Sequence, residues 1–234
     1  VRAPKAILVG GGTGALGRAL VGLALEAGSR VAVPYRSKAE WDALMAETKD
    51  PGRLFGAAAD LADPLEADRF VGNAAAAMSG LDGVAALAGA YAGSGPFEKA
   101  SLGEWESMIK TNLGTAAALC RATLPHLLKG GGSVVTVGSR SAEAGGGGAA
   151  AYAVAKMGVI ALTRALAAEN RVRGVRFNCI SPGTIDTPAN RTAMPEADRA
   201  TWTPPASIAR LILFLLSPDS APTTGAVIPA DGRG

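Results

Sequence analysis

The stretch that decides the fold is Lys5-Ala6-Ile7-Leu8-Val9-Gly10-Gly11-Gly12-Thr13-Gly14-Ala15-Leu16-Gly17. An aliphatic run passes directly into glycines, and the stripe Leu16, Leu20, Leu23, Ala27 begins within them. That spacing predicts a helix covering a sheet. Strand, glycine turn and helix in this order form a cradle for a pyrophosphate. Glycine lets the backbone turn sharply and come close to the anion, while free N–H groups and the helix dipole stabilise its charge. A G-x-G-x-x-G match alone is weak, but at the first strand–helix junction it is informative. Gly11, Gly12, Thr13, Gly14 and Gly17 are therefore candidate cofactor contacts.

Working outward, strands are expected at 5–9, 30–34, 53–58, 83–87, 133–137, 175–180 and 226–229. Helical patterns alternate with them, one carrying Ala155, Val159, Leu162 and Leu166. Strand–helix alternation requires crossover connections, which build parallel sheets covered on both faces. The expectation is an α/β fold: one Rossmann-type, doubly wound domain over 1–234, with a seven-stranded parallel sheet and helices on both faces. Its ligand should sit beyond the C-terminal strand ends.

Composition narrows the function classes. The 234 residues are 48% hydrophobic and 18% charged, which excludes disorder driven by charge. The 23 Lys+Arg are offset by 20 Asp+Glu without a basic run, so no nucleic-acid partner is expected. Cys120 and Cys179 each lie in an apolar run and read as buried free thiols of a reducing cytoplasm. The early onset of the first strand leaves no room for a signal peptide, and no apolar run of about 18 residues is read, so neither export nor a membrane partner is expected. His126, the single histidine, reads as a helix-end cap, and no metal cluster is expected.

Cofactor type should show at the end of the second strand, where an acid would bind a ribose 2′-hydroxyl. The chain reads Val33-Pro34-Tyr35-Arg36-Ser37-Lys38 there. Arg36 suits a 2′-phosphate, favouring NADP(H) over NAD(H), unless Arg36 and Lys38 are plain surface charges. Asp60, after the third strand, is either an adenine contact or a helix cap ahead of Pro64.

Tyr152 and Lys156 lie four apart on one helix face. A phenol that exchanges protons near neutrality needs its pKa lowered by about three units, or about 4 kcal/mol. An ammonium about 5 Å away contributes about 3 kcal/mol at an effective dielectric near 20, so Lys156 is expected to supply most of the shift. Ser139 follows the strand at 133–137 and can donate to a substrate oxyanion. Asn112 falls in a helical pattern with Trp105, Ile109 and Ala116, either catalytic or satisfying backbone groups.

Together these residues resemble the short-chain dehydrogenase/reductase family over nearly the whole chain. Two departures stand out: Gly10 and Ala15 replace the usual Thr and Gly of the glycine motif, and Ala86-Leu87-Ala88-Gly89 stands where N-N-A-G is usual. The resemblance implies hydride transfer with Asn112, Ser139, Tyr152 and Lys156 as a catalytic tetrad. It also implies cofactor contacts at Leu16, Leu61, Ala88, Gly89, Tyr152, Lys156, Pro182, Gly183, Ile185 and Thr187, a lid at about 187–204, and a homodimer or homotetramer. The segments Asp186-Thr187-Pro188-Ala189-Asn190-Arg191 and Trp202-Thr203-Pro204 locally resemble dihydropteridine reductases. Three functions follow: a carbonyl reductase or alcohol dehydrogenase acting on a small molecule, a dihydropteridine reductase-like enzyme, and a non-catalytic dinucleotide sensor. The intact Tyr152 and Lys156 argue against the sensor.

Overall fold

The computed structural model describes residues 2–232, so positions 1, 233 and 234 of the expected domain lie outside the described residues. Seven strands form one sheet in the order β3-β2-β1-β4-β5-β6-β7. They are β1 (Ala6–Gly10), β2 (Arg30–Tyr35), β3 (Leu54–Ala58), β4 (Gly83–Ala86), β5 (Gly132–Val137), β6 (Val175–Pro182) and β7 (Val227–Ala230). Every pairing is parallel, as the sequence predicts. Between them run α1 (Ala15–Glu26), α2 (Lys38–Glu47), α3 (Pro64–Met78), α4 (Leu102–Met108), α5 (Thr115–Leu127), α6 (Arg140–Glu143), α7 (Ala150–Asn170), α8 (Pro188–Ala193) and α9 (Pro205–Leu216). A π-helical turn, Ile109–Gly114, joins α4 to α5.

Strand β1 is buried along its whole length, and its alternating side chains feed two cores. Leu8 packs with Phe70, Leu119 and Phe177 on one face. Ile7 and Val9 pack with Leu20, Ile208 and Ile212 on the other. The chain leaves β1 toward β2 and β3, then returns to place β4 on the opposite side of β1. The loops after β1 and β4 therefore diverge and open a crevice at the C-terminal edge.

Some expectations shift. Helix α1 buries Gly17, Leu20, Val21, Ala24 and Leu25, while Leu16 and Leu23 are half-buried and Ala27 is exposed. The buried face is rotated because α1 packs on α9 as well as on the sheet. In α7, Ala155 and Val159 are buried but Leu162 and Leu166 only half so, with Ile160, Thr163 and Ala167 completing the inner face. The third strand starts at Leu54, because Pro51–Arg53 make a single 3-10 turn. Ala150–Arg173 is a continuous 24-residue helical segment that is apolar enough, by length and composition, to cross a membrane. The reading that no apolar stretch reaches that length is thus corrected: alanines together with Val154, Val159, Ile160, Leu162 and Leu166 outweigh Lys156 and Arg164, and the segment packs on β5 and β6.

Candidate active site

The glycine loop is held by close approach. Gly11 has φ +82°, and a Cβ there would sit 2.8 Å from the Ala88 nitrogen. A Cβ on Gly17 would lie 2.1 Å from the Gly11 carbonyl. Helix α1 and the loop after β4 are thus both pressed against the turn, the geometry a backbone cradle for phosphate requires. Beside it opens a cavity of about 580 Å³. Of the expected contacts it brings together Gly11, Thr13, Gly14, Arg36, Asp60, Leu61, Ala88 and Gly89. Gly12 and Gly17 are buried and, with half-buried Leu16, do not line it.

The cavity also gathers residues that sequence reasoning left out, among them Tyr35, Ser37, Glu40, Thr111 and Thr115. Tyr35 stacks on Trp41 with centroids 5.1 Å apart. A signal for Glu40 existed in Ser37-x-x-Glu40, a capping-box sequence at a helix start. The Ser37 hydroxyl does accept from the Glu40 N–H at 3.3 Å. The Glu40 carboxylate, however, reaches outward and accepts from the Thr13 hydroxyl at 2.9 Å. The alternative of Asp60 as a helix cap is overturned, because Asp63 caps α3, accepting from Leu65 N–H at 2.8 Å and Glu66 N–H at 3.3 Å. Asp60 stays in the cavity wall and accepts from Ala62 N–H at 3.0 Å.

The polar cluster lies at the ends of β5 and β6. Ser139 stands one residue beyond Gly138, at the start of α6, close enough to the Tyr152 phenol to influence its ionisation. Its Oγ is also 2.8 Å from Ser141 Oγ. One helical turn below Tyr152, Lys156 is only 6% exposed and its ammonium donates to the Val137 carbonyl at 3.0 Å. Lys156 Nζ lies 5.9 Å from the Tyr152 ring centre. Burial lowers the Lys156 pKa to about 8. Burial also dominates at Tyr152 and raises its pKa, the neighbouring Ser139 hydroxyl opposing this and Tyr91 adding to it. The expectation that the ammonium chiefly sets the phenol's acidity is not met in the chain by itself, where burial is the largest influence on Tyr152.

Asn112 is 1% exposed and sits in the π turn. Its Oδ1 accepts from Ala90 N–H at 3.2 Å, and its Nδ2 donates to the carbonyls of Ala90 and Met108, each at 3.0 Å. The backbone-satisfying role anticipated for it is real: the amide ties the π turn to the loop after β4. Periodicity could not reveal the π turn, which re-aims one side chain inside an otherwise helical pattern.

Pro182 ends β6, and Gly183 follows, where a Cβ would lie 3.1 Å from the Asp231 Cβ. Ile185 pairs with Thr203, and Thr187 caps α8 by accepting from Asn190 N–H at 3.2 Å. These four residues line the half of the sheet edge beside β5 and β6, not the 580 Å³ cavity. The segment between them is closed at its base, where Asp186 N–H donates to the Thr203 carbonyl and Thr203 N–H to the Thr184 carbonyl, both at 2.9 Å. Both cysteines are buried free thiols, and burial pushes Cys120 up to about 12.

Residues 12–232 match a family model described as enoyl-(acyl carrier protein) reductase. D-threitol dehydrogenase of Mycolicibacterium smegmatis is 31% identical over 239 residues, covering 97% of this chain and 92% of that protein. The chain belongs to the short-chain dehydrogenase/reductase family. The family comprises oxidoreductases that act on CH–OH or C=O groups with a nicotinamide cofactor, and this chain is one of them. The 3-oxoacyl-[acyl-carrier-protein] reductase FabG of Chlamydia pneumoniae is 34% identical over 139 residues, a match spanning 55% of this chain and 56% of that relative. An NADPH-bound short-chain oxidoreductase from Pseudomonas aeruginosa PAO1, described as containing an atypical catalytic center, superposes with a TM-score of 0.87 at 29% identity, covering 97% of this chain and 95% of that one.

Proposed function

We propose that this member of the family is an NADP(H)-dependent carbonyl reductase or alcohol dehydrogenase of a small molecule, working through Asn112, Ser139, Tyr152 and Lys156. The observation that carries the reading is the placement of a buried Lys156 ammonium 5.9 Å from the Tyr152 ring at the sheet edge where Ser139 also lies. The glycine loop suits a dinucleotide, because Gly11 and Gly17 let helix α1 and the loop after β4 press against the turn where side chains would clash with backbone. Gly11, Thr13, Gly14, Arg36, Asp60, Leu61, Ala88 and Gly89 would hold the adenosine and phosphates, and Pro182, Gly183, Ile185 and Thr187 the nicotinamide end. The cofactor supplies or accepts hydride when bound. Tyr152 gives its phenolic proton to the carbonyl oxygen of the substrate, or takes it back from the alcohol. Ser139 donates to that oxygen and stabilises its developing charge. Lys156 provides a positive charge that favours the phenolate, and Asn112 fixes the loop that borders the pocket.

NADP(H) is favoured by Arg36, which is exposed in the cavity wall without an ion-pair partner among the described residues. The segment 187–204, closed at its base by the Ile185–Thr203 pairing, suits a lid. A homo-oligomer and a reducing cytoplasm complete the reading, the latter supported by the two free thiols. The test is turnover of a ketone panel with NADPH against turnover of quinonoid dihydropterin. Ketone reduction that falls at least a hundredfold in Ser139→Ala is expected. Dihydropterin turnover untouched by Ser139→Ala, with no ketone reduced, would move the assignment to the dihydropteridine reductase-like alternative.

A further inference from the structure

Three charged side chains line the cavity beside the glycine loop: Arg36, Glu40 and Asp60. Nearby cations are committed elsewhere. Lys38 pairs with Asp42. Arg18 is held by the Thr13 carbonyl at 2.8 Å, the Glu40 carbonyl at 3.1 Å and the Glu47 carboxylate at 2.8 Å. Arg36 is thus, among the described residues, the one cation of a wall that carries two carboxylates. Asp60 receives the Ala62 N–H, so its charge is partly stabilised within its own loop. Glu40 differs: it is exposed, and its carboxylate accepts from the hydroxyl of Thr13, a residue of the phosphate cradle.

We propose that Glu40 is a specificity-determining residue that opposes Arg36, weakening the hold on a dinucleotide bearing a 2′-phosphate relative to one bearing a 2′-hydroxyl. The inference rests on the reading of this cavity as the adenosine end of a nicotinamide dinucleotide site. A phosphate monoester carries between one and two negative charges at neutral pH, all near Arg36 if the arginine holds it, and the carboxylate joined to Thr13 faces the same space. A ribose hydroxyl instead donates to a carboxylate, so the same side chain repels one dinucleotide and accepts a hydrogen bond from the other. The chain therefore discriminates less strongly for NADP(H) than Arg36 alone would dictate.

The experiment measures dissociation constants for NADPH and NADH on the full chain by nicotinamide fluorescence, at low and at high salt. In Glu40→Gln the ratio of the NADH to the NADPH constant should rise roughly fivefold, and the rise should shrink at high salt. Glu47→Gln removes the same charge from the same helix, but Glu47 pairs with Arg18 outside this cavity, so the ratio should move less than about twofold. A ratio unchanged in Glu40→Gln, or raised equally in Glu47→Gln, overturns the proposal. A parent that prefers NADH, with Glu40→Gln still raising the ratio, overturns only the NADP(H) preference and upholds Glu40. Binding of neither dinucleotide overturns both.

Discussion

The two halves of the C-terminal sheet edge are made of different material. Around β1 and β4 the site is backbone: glycines whose missing Cβ atoms let a loop, a helix and a neighbouring loop touch. Around β5 and β6 it is buried polar side chains, with Ser139 and Lys156 both nearly sealed from solvent. The first half needs no desolvated charge, so its cost lies in close packing. The second keeps an ammonium where burial disfavours it, a cost in stability that the proposed chemistry would account for. The contrast implies that substitutions should fail differently in the two halves: in the first, stability and binding fall together, and in the second, stability and activity move in opposite directions.

Lys156→Met is the sharpest test of that contrast. The folded chain lowers the lysine from its ordinary value of 10.5 to about 8. Between those pH values the unfolded chain binds more protons than the folded one, so this group makes stability rise with pH across that window. Below about pH 8 both states are protonated and the folded state bears the full penalty. The penalty corresponds to about 3 kcal/mol, set against about 1 kcal/mol for the hydrogen bond to the Val137 carbonyl. Turnover should drop by two orders of magnitude or more, while the urea midpoint at pH 7 rises by an amount equivalent to about 2 kcal/mol. That gain should fade as the pH approaches 10. A variant less stable than the parent at pH 7 would mean that the ammonium is welcome where it sits.

On the other half, Gly17→Ala should lose both properties. Its Cβ meets a backbone carbonyl at 2.1 Å, an atom that cannot rotate away, so a loss of about 3 kcal/mol is expected together with loss of dinucleotide binding. Gly22 lies on the same helix, and a Cβ there meets nothing within 4 Å. Gly22→Ala should therefore stabilise the chain by about 0.5–1 kcal/mol and leave binding intact. Equal thermal midpoints for the two alanine variants would break the claim that close packing builds the cradle.

This difference in material also explains what could be read beforehand. The β1 half was legible, because glycines at a strand–helix junction carry their meaning in order and spacing. Gly11, Thr13, Gly14, Arg36, Asp60 and Leu61 all reach one cavity wall. On the β5 half Ser139, Tyr152 and Lys156 were found as residue types, but their electrostatics were not, since a helix face says nothing about how deeply the ammonium is sealed. Asn112 was legible as a buried amide and illegible as the hinge of a π turn. Glu40 was missed because a capping-box glutamate is expected to turn back on its own helix, and only the packing of α2 against the glycine loop takes it to Thr13. Ala27 was assigned to the inner face by periodicity, which cannot see that α9 rotates the helix.

The smallest effect concerns Arg36, the cation of the β1 half. Arg36 is exposed, so whatever it contributes to holding a 2′-phosphate is shared with water and with salt. Arg36→Asp removes that cation and supplies an acceptor for a 2′-hydroxyl, so the preference between the two dinucleotides should move toward NAD(H) by roughly tenfold, with stability unchanged within about 0.5 kcal/mol. The shift should be largest at low ionic strength. If it persists undiminished in high salt, the discrimination lies in hydrogen-bond geometry around the ribose, and charge is not what separates Arg36 from the glycines beside it.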